Sequence, residues 1–243
     1  MTFENNSGNA AEPQTADLAF LRLLHLADSA LPIGAVPHSF GLETLVDAGL
    51  LTPPLVPSFL EAYLREAGVL ETVFCRAGFR CAMDDAFSAT RWTQLNDRLS
   101  ALKPARESRA ASAALGSRFL ALVLGIVDSR IVHDALEAAR QARSVVHHSL
   151  AFGLAGGVLT MAEESVLLAF LHQSIMGLVS ACQRLMPIGQ SDVTRIIWNS
   201  KPSMLDTVRR SGDFAPDNVP CFLPLLDWGA MEHPALSTRL FIS

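Results

Sequence analysis

Lysine is nearly absent. The 243-residue chain has two, Lys103 and Lys201, and each stands immediately before a proline. A phosphate-binding loop needs Gly-x4-Gly-Lys-Ser/Thr, so that backbone N–H groups and the lysine cradle the phosphates. Neither lysine can supply it, which excludes a P-loop nucleotidase. Basic residues are also the minority, 19 against 24 acidic ones for a net charge of −5, so broad electrostatic capture of nucleic acid is excluded. Cysteine is sparse. Cys75, Cys81, Cys182 and Cys221 form no CxxC and no paired framework, which predicts reduced thiols acting as small buried hydrophobes. Residues 1–16 carry no basic residue and no apolar run, as a signal peptide would require. A disordered arm over 1–16 and a cytoplasmic location are the expectation.

Catalytic signatures are missing too. Seven histidines (His25, His38, His133, His147, His148, His172 and His233) include no HExxH and no Glu-x-x-His pair of the kinds used by zinc proteases and di-iron bundles. His147 and His148 are adjacent, so on a helix they point roughly 100° apart. No Gly-x-Ser-x-Gly elbow occurs. The paired acids Asp84-Asp85 and Glu163-Glu164 read as helix N-termini, where carboxylates complement the dipole.

What is abundant is apolar surface: 50% hydrophobic residues, 18% charged, mean hydropathy +0.29. That composition leaves a folded globule or a membrane-associated chain. The run 165–182 reaches the minimum length of a membrane span without a formal charge. His172, Gln173 and Ser174 at its middle are costly in lipid, and the reading is a helix central in a bundle or in an oligomer interface.

The periodicity is helical throughout. Segments 17–29, 39–48, 85–99, 105–127 and 131–147 each read as a helix. Thr52 before Pro53 is an expected N-cap for another, with Val56, Phe59, Leu60, Tyr63, Leu64 and Ala67 on one face and Gly68 as a bend or a division. Thr160-x-x-Glu163 matches a capping box opening a long helix to Met186, and 190–210 reads as one further helix. No alternating strand appears. The expected fold is all-α: a single-domain bundle of about ten helices over 17–211, with an irregular apolar tail over 212–243. Pro216, Pro220, Pro224 and Pro234 punctuate that tail among Phe222, Leu225, Trp228 and Phe241. It either docks on its own domain or covers a partner. A small-molecule-binding protein or enzyme with a pocket near His172 is the alternative reading.

Two loops stand apart. Ala30-Leu31-Pro32-Ile33-Gly34 and Leu185-Met186-Pro187-Ile188-Gly189 each set Pro-Ile-Gly at the end of an apolar helix. The first, extended from Leu26-Ala27-Asp28-Ser29 through His38-Ser39-Phe40-Gly41-Leu42-Glu43, resembles the amino-terminal signature of the urease accessory protein F family. The second, continuing Gln190-Ser191-Asp192 with Arg195 beyond, is similar to that family's second signature. Pro224-Leu225-Leu226-Asp227 and Ser237-Thr238-Arg239-Leu240-Phe241 resemble its carboxyl-terminal tail. The resemblance covers about 17–243.

That resemblance implies an all-α homodimer, a non-enzymatic scaffold in urease maturation. It would bridge the urease accessory GTPase (G type) and the accessory protein of the D/H type, dock on apo-urease, and regulate GTP-dependent nickel insertion. Nickel would pass in transit through the complex, without a stably bound cofactor or metal and without nucleic acid or membrane. It carries Leu31, Pro32, Gly34, Ser39, Gly41 and Glu43 over from the first motif as partner-binding or regulatory residues. Pro187, Gly189, Gln190 and Arg195 come from the second, and Arg239 and Phe241 from the tail. Glu43 is implied as a polar contact to the GTPase side or the nickel route. Arg184 stands where the family often has lysine, a change of cation geometry. Phe40 replaces a glutamine common in bacterial members, and Pro37 is also atypical.

Overall fold

A computed structural model describes residues 16–34, 38–222 and 224–242. The arm expected over 1–16 lies outside them except for Ala16, and Pro37 lies outside them as well. Twelve α-helices and no strand occur among the described residues. They are α1 (Ala16–Leu26), α2 (Leu42–Asp47), α3 (Val56–Tyr63), α4 (Val69–Met83), α5 (Ala89–Leu102), α6 (Arg106–Ile126), α7 (Arg130–Ala142), α8 (His148–Val158), α9 (Glu163–Leu185), α10 (Gln190–Asn199), α11 (Lys201–Ser211) and α12 (Pro224–Glu232).

The centre is the α4–α8 pair. A Cβ on Gly153 would lie 1.8 Å from the Cys75 carbonyl oxygen, and one on Gly78 2.2 Å from that of Leu150. The two backbones therefore touch, which only glycine permits. Ser149 to Gly157 are all buried, so α8 is enclosed on every side. The sequence reading sets no bounds or face for helix α4 beyond the bend or division at Gly68. Ten of its fifteen residues are buried, including Val69, Val73, Phe74, Cys75 and Phe79, so little polar stripe marks its period.

Gly68 does not end the preceding helix. A π-helical segment, Leu64–Gly68, joins α3 to α4, and the Thr207 hydroxyl on α11 donates to the Leu64 carbonyl at 3.1 Å. A carbonyl displaced from the regular ladder thus finds a partner.

Several boundaries move for local reasons. The 85–99 helix begins at Ala89, where the Ser88 hydroxyl accepts from the Arg91 N–H at 3.2 Å. The 131–147 helix stops at Ala142 because Arg143 turns left-handed at φ 54°. His147 instead precedes α8, its N–H donating to Asn96 Oδ1 at 2.8 Å. Its ring bridges the Ser100 and Ser112 hydroxyls at 2.8 and 3.0 Å. Burial, then the nearby Lys103 charge, push its pKa down to about 3, so it serves α5, α6 and α8 as a neutral hydrogen-bonding strut. The Thr160-x-x-Glu163 box does not form: Thr160 has φ 50°, and Ala162 occupies the cap of α9. The 190–210 segment splits after Asn199, and Pro202 sits in the first turn of α11.

Both long apolar helices, α6 and α9, meet the length and hydropathy of a membrane span. The residues of α9 at Val166, Phe170, Leu171, Ile175, Leu178 and Val179 are buried inside the bundle.

The backbone contact predicts opposite outcomes for glycine replacements. Gly153→Ala forces α4 from α8 and should cost about 3 kcal/mol, in the range of core overpacking. Gly125→Ala, whose Cβ would meet nothing within 4 Å, should stabilise by about 0.5–1 kcal/mol through helix propensity. Urea denaturation of the two variants measures both.

Candidate functional site

The first Pro-Ile-Gly loop is pinned from two sides. Asp28 Oδ1 accepts the Ala30 N–H at 2.8 Å, and Arg118 on α6 donates to the Ile33 carbonyl at 3.4 Å. Leu31 and Ile33 are buried, while Pro32 is exposed and Gly34 turns at φ 77°. Farther along, Ser39 is buried, and Gly41 at φ 92° caps α2. A Cβ on Gly41 would lie 2.7 Å from the Ala230 nitrogen. Glycine is needed there twice over, for the left-handed backbone and for the crossing of α12.

That crossing brings the carboxyl-terminal segment onto Glu43, which is buried in the first turn of α2. One carboxylate oxygen accepts the Leu240 N–H at 2.5 Å, and the other accepts the Phe241 N–H at 3.1 Å. The His233 ring, fully buried, lies between two acids, 2.9 Å from Glu43 Oε2 and 2.7 Å from Glu107 Oε2. Arg239 reaches the other Glu107 oxygen at 3.4 Å. Phe241 is buried, and the Arg184 guanidinium stacks over its ring, 4.3 Å from the centroid. Burial acts to raise the Glu43 carboxyl, but the amides of Leu240 and Phe241 and the His233 ring outweigh it and hold its pKa below the ordinary carboxylate value.

The structure therefore unites Gly41, Glu43, Arg184, Arg239 and Phe241, residues drawn from three separate stretches of sequence. The second loop, which follows Arg184 by three residues at Pro187, borders a different hollow. Pro187, Ile188 and Arg195 border a groove of about 390 Å³ together with Pro53, Pro54 and Pro57. Gly189 caps α10, whose first residue is Gln190, and Arg195 pairs with Asp192 at 3.0 Å.

Two members of the cluster were not anticipated, Glu107 and His233. Glu107 stands in the first turn of α6. His233 sits beside Pro234 in a stretch read as irregular. In fact Pro224 opens a nine-residue helix, α12, as proline can at a first position, and that helix delivers His233.

A second site was anticipated only in outline. A cavity of about 170 Å³ opens inside the single chain, lined among others by Tyr63, Glu71, Lys103, His148, Gln173 and Asp227. Gln173 and Ser174 contribute to its wall, but their neighbour His172 does not. Glu71 and Lys103 form a close ion pair on its wall. Burial alone would raise the Glu71 carboxyl; Lys103 reverses that and lowers it. Among the described residues, no group of three or more His, Cys, Asp or Glu side chains gathers as metal ligands.

Comparison with known proteins finds relatives over nearly the whole chain. The UreF family model matches residues 55–201. A urease accessory protein UreF from Nostoc sp. is 33% identical over 93% of this chain and 97% of its own length. The protein of the same name from Bacillus sp. is 26% identical over 92% and 98%. That from Actinobacillus pleuropneumoniae is 28% identical over 91% and 97%.

The Glu43 cluster sets a pH limit. Because the folded carboxyl lies below its ordinary value, its contribution is complete above the ordinary carboxylate range and is lost as pH falls through the lowered folded value. Hydrogen exchange over 233–242, corrected for intrinsic rate, should stay protected at neutral and mildly acidic pH and lose protection only below that range. Glu43→Ala leaves two amides and His233 without their acceptor. It should cost about 3 kcal/mol in thermal or urea unfolding and expose the same segment to exchange at neutral pH.

Proposed function

The chain belongs to the UreF family, and we propose that it serves urease maturation as a scaffold that bridges the accessory GTPase and the D/H-type accessory protein. It is an accessory protein and not an enzyme. In this reading it regulates GTP-dependent insertion of nickel into apo-urease, and nickel is cargo in transit, not a resident cofactor. It works in the cytoplasm as a homodimer.

The observation that carries the reading is the two-sided carboxyl-terminal segment. Its inner side is fixed by Glu43, His233 and the buried Phe241 ring. Its outer side leaves Phe222, Leu225, Trp228, Met231, Leu240 and Ile242 exposed. Leu225, Trp228 and Met231 recur at i, i+3 spacing along α12, so they share one broad side of that helix. Scattered exposed apolar residues need no explanation, but six on one short segment point to a covered surface. We assign this side to the D/H-type partner.

Glu43 itself has both oxygens engaged by the tail and His233, so it contributes as the support of that surface. The GTPase contact falls instead to the groove of Pro187, Ile188 and Arg195. Separate surfaces suit a bridge, since two partners can be held at once.

Trp228→Asp combined with Met231→Asp places charge at two exposed positions, so helical content and melting temperature should hold. Affinity for the D/H-type protein should fall about 30-fold or more, as for buried aromatic anchors. Unchanged affinity removes the segment as the docking surface. Deleting the gene should leave the host urease without nickel; a fully nickel-loaded urease would overturn the maturation role.

A further inference from the structure

The cavity has properties that scaffolding does not use. Its wall holds two carboxylates, Glu71 and Asp227, and one ammonium, Lys103. Lys103 is paired with Glu71. Asp227 lies on α12, half-buried, at the side where Leu226 and Phe40 also line the space. Burial raises the Asp227 carboxyl, and Lys103 counteracts this only in part. With both acids ionised, the wall is one positive charge short.

Hydrogen bonding is incomplete in the same sense. Gln173, 8% exposed, has its Oε1 without a partner, and so has Nε2 of His148. Burial pushes the His148 pKa down to about 4, so its ring is neutral, and Nε2 donates or accepts according to the tautomer. An orphaned buried acceptor such as Gln173 Oε1 is rare and costly, and asks for a donor. The remaining wall is mainly apolar, with the rings of Phe40, Tyr63 and Phe170 among the lining. Aromatic faces attract cations.

We propose that this cavity is a binding site for a small organic cation, a short alkylammonium whose N–H groups meet the Gln173 oxygen and the Asp227 carboxylate and whose hydrocarbon end fills the apolar part. The charge deficit excludes an anion. The unpaired Gln173 oxygen argues against a purely apolar guest, and the lack of a three-ligand group among the described residues disfavours a bare divalent metal. The inference stands apart from the scaffold reading, since a bridging protein with or without this ligand remains a bridge. Because Leu226 and Asp227 belong to α12, the ligand would also be covered by the segment that Glu43 holds in place.

Isothermal titration of the full-length protein with propylammonium chloride, at matched ionic strength, tests it. Saturable binding with one ligand per chain is expected, and 1-propanol should bind about ten-fold more weakly. Asp227→Asn should weaken propylammonium about ten-fold without altering the melting temperature. Gln173→Leu, which removes an orphaned acceptor, should also weaken it while leaving 1-propanol binding equal or stronger. Absence of saturable binding, equal binding of 1-propanol, or an unchanged affinity in Asp227→Asn would each overturn the assignment. Displacement of propylammonium by nickel chloride at equal concentration would overturn it in favour of a metal-cation site. None of these outcomes bears on whether Trp228→Asp with Met231→Asp loses its partner, so the two proposals fail independently.

Discussion

Backbone contact between α4 and α8 is the constraint around which the rest of the molecule is arranged. Two helices that touch through Gly78 and Gly153 leave no room for side chains between them, so their other faces must supply the core. Phe74, Phe119, Phe152 and Phe170 fill those faces, with the Phe119 and Phe152 rings stacked at 5.4 Å. Dense packing on this axis makes the surrounding elements rigid. A rigid platform is what a peripheral segment such as α12 needs if it is to be held in one place by a few polar contacts.

Those contacts are of an economical kind. A single carboxylate, Glu43, satisfies two backbone amides and Nε2 of His233, and Glu107 pairs with Nδ1 of the same ring. Charge-assisted hydrogen bonds are stronger than neutral ones and directional, so a handful can fix a segment whose outer side contributes little packing. The arrangement reconciles the two readings of the tail: one side docks on the domain while the other keeps its apolar residues in solvent.

Much of this was legible in the sequence, because amphipathic helices announce themselves. Helices α3, α5, α7 and α10 have a polar face, and their periodicity shows. Helix α4 does not, since it is enclosed, and enclosure erases the alternation from which a period is read. The same cause hid the cavity: Glu71 sits on α4, and Lys103 follows α5, 32 positions away. The motif residues Glu43, Arg239 and Phe241 were visible as a resemblance, but their mutual contact was not, because they are separated by nearly the whole chain. His233 and Glu107 carried no local signal. A buried imidazole between two carboxylates can be recognised only once a fold has brought three distant segments together. The scarcity of lysine takes on a different sense as well. Lys103 is spent on an interior acid, and Lys201 lies over the Trp198 ring at 3.9 Å.

The way Glu43 holds the tail has one consequence for how this region can vary. At Leu240 and Phe241 it grips main-chain N–H groups, which every residue but proline offers in the same form. Glu43 therefore sets no requirement on the side chain at Leu240, while it does fix the spacing. Six residues separate His233 from Leu240, and both anchors meet the same carboxylate. Among natural variants of this chain, insertions or deletions between the anchors should be scarcer than substitutions at positions other than Arg239, which pairs with Glu107, because the carboxylate measures the loop by its length and is blind to its spelling.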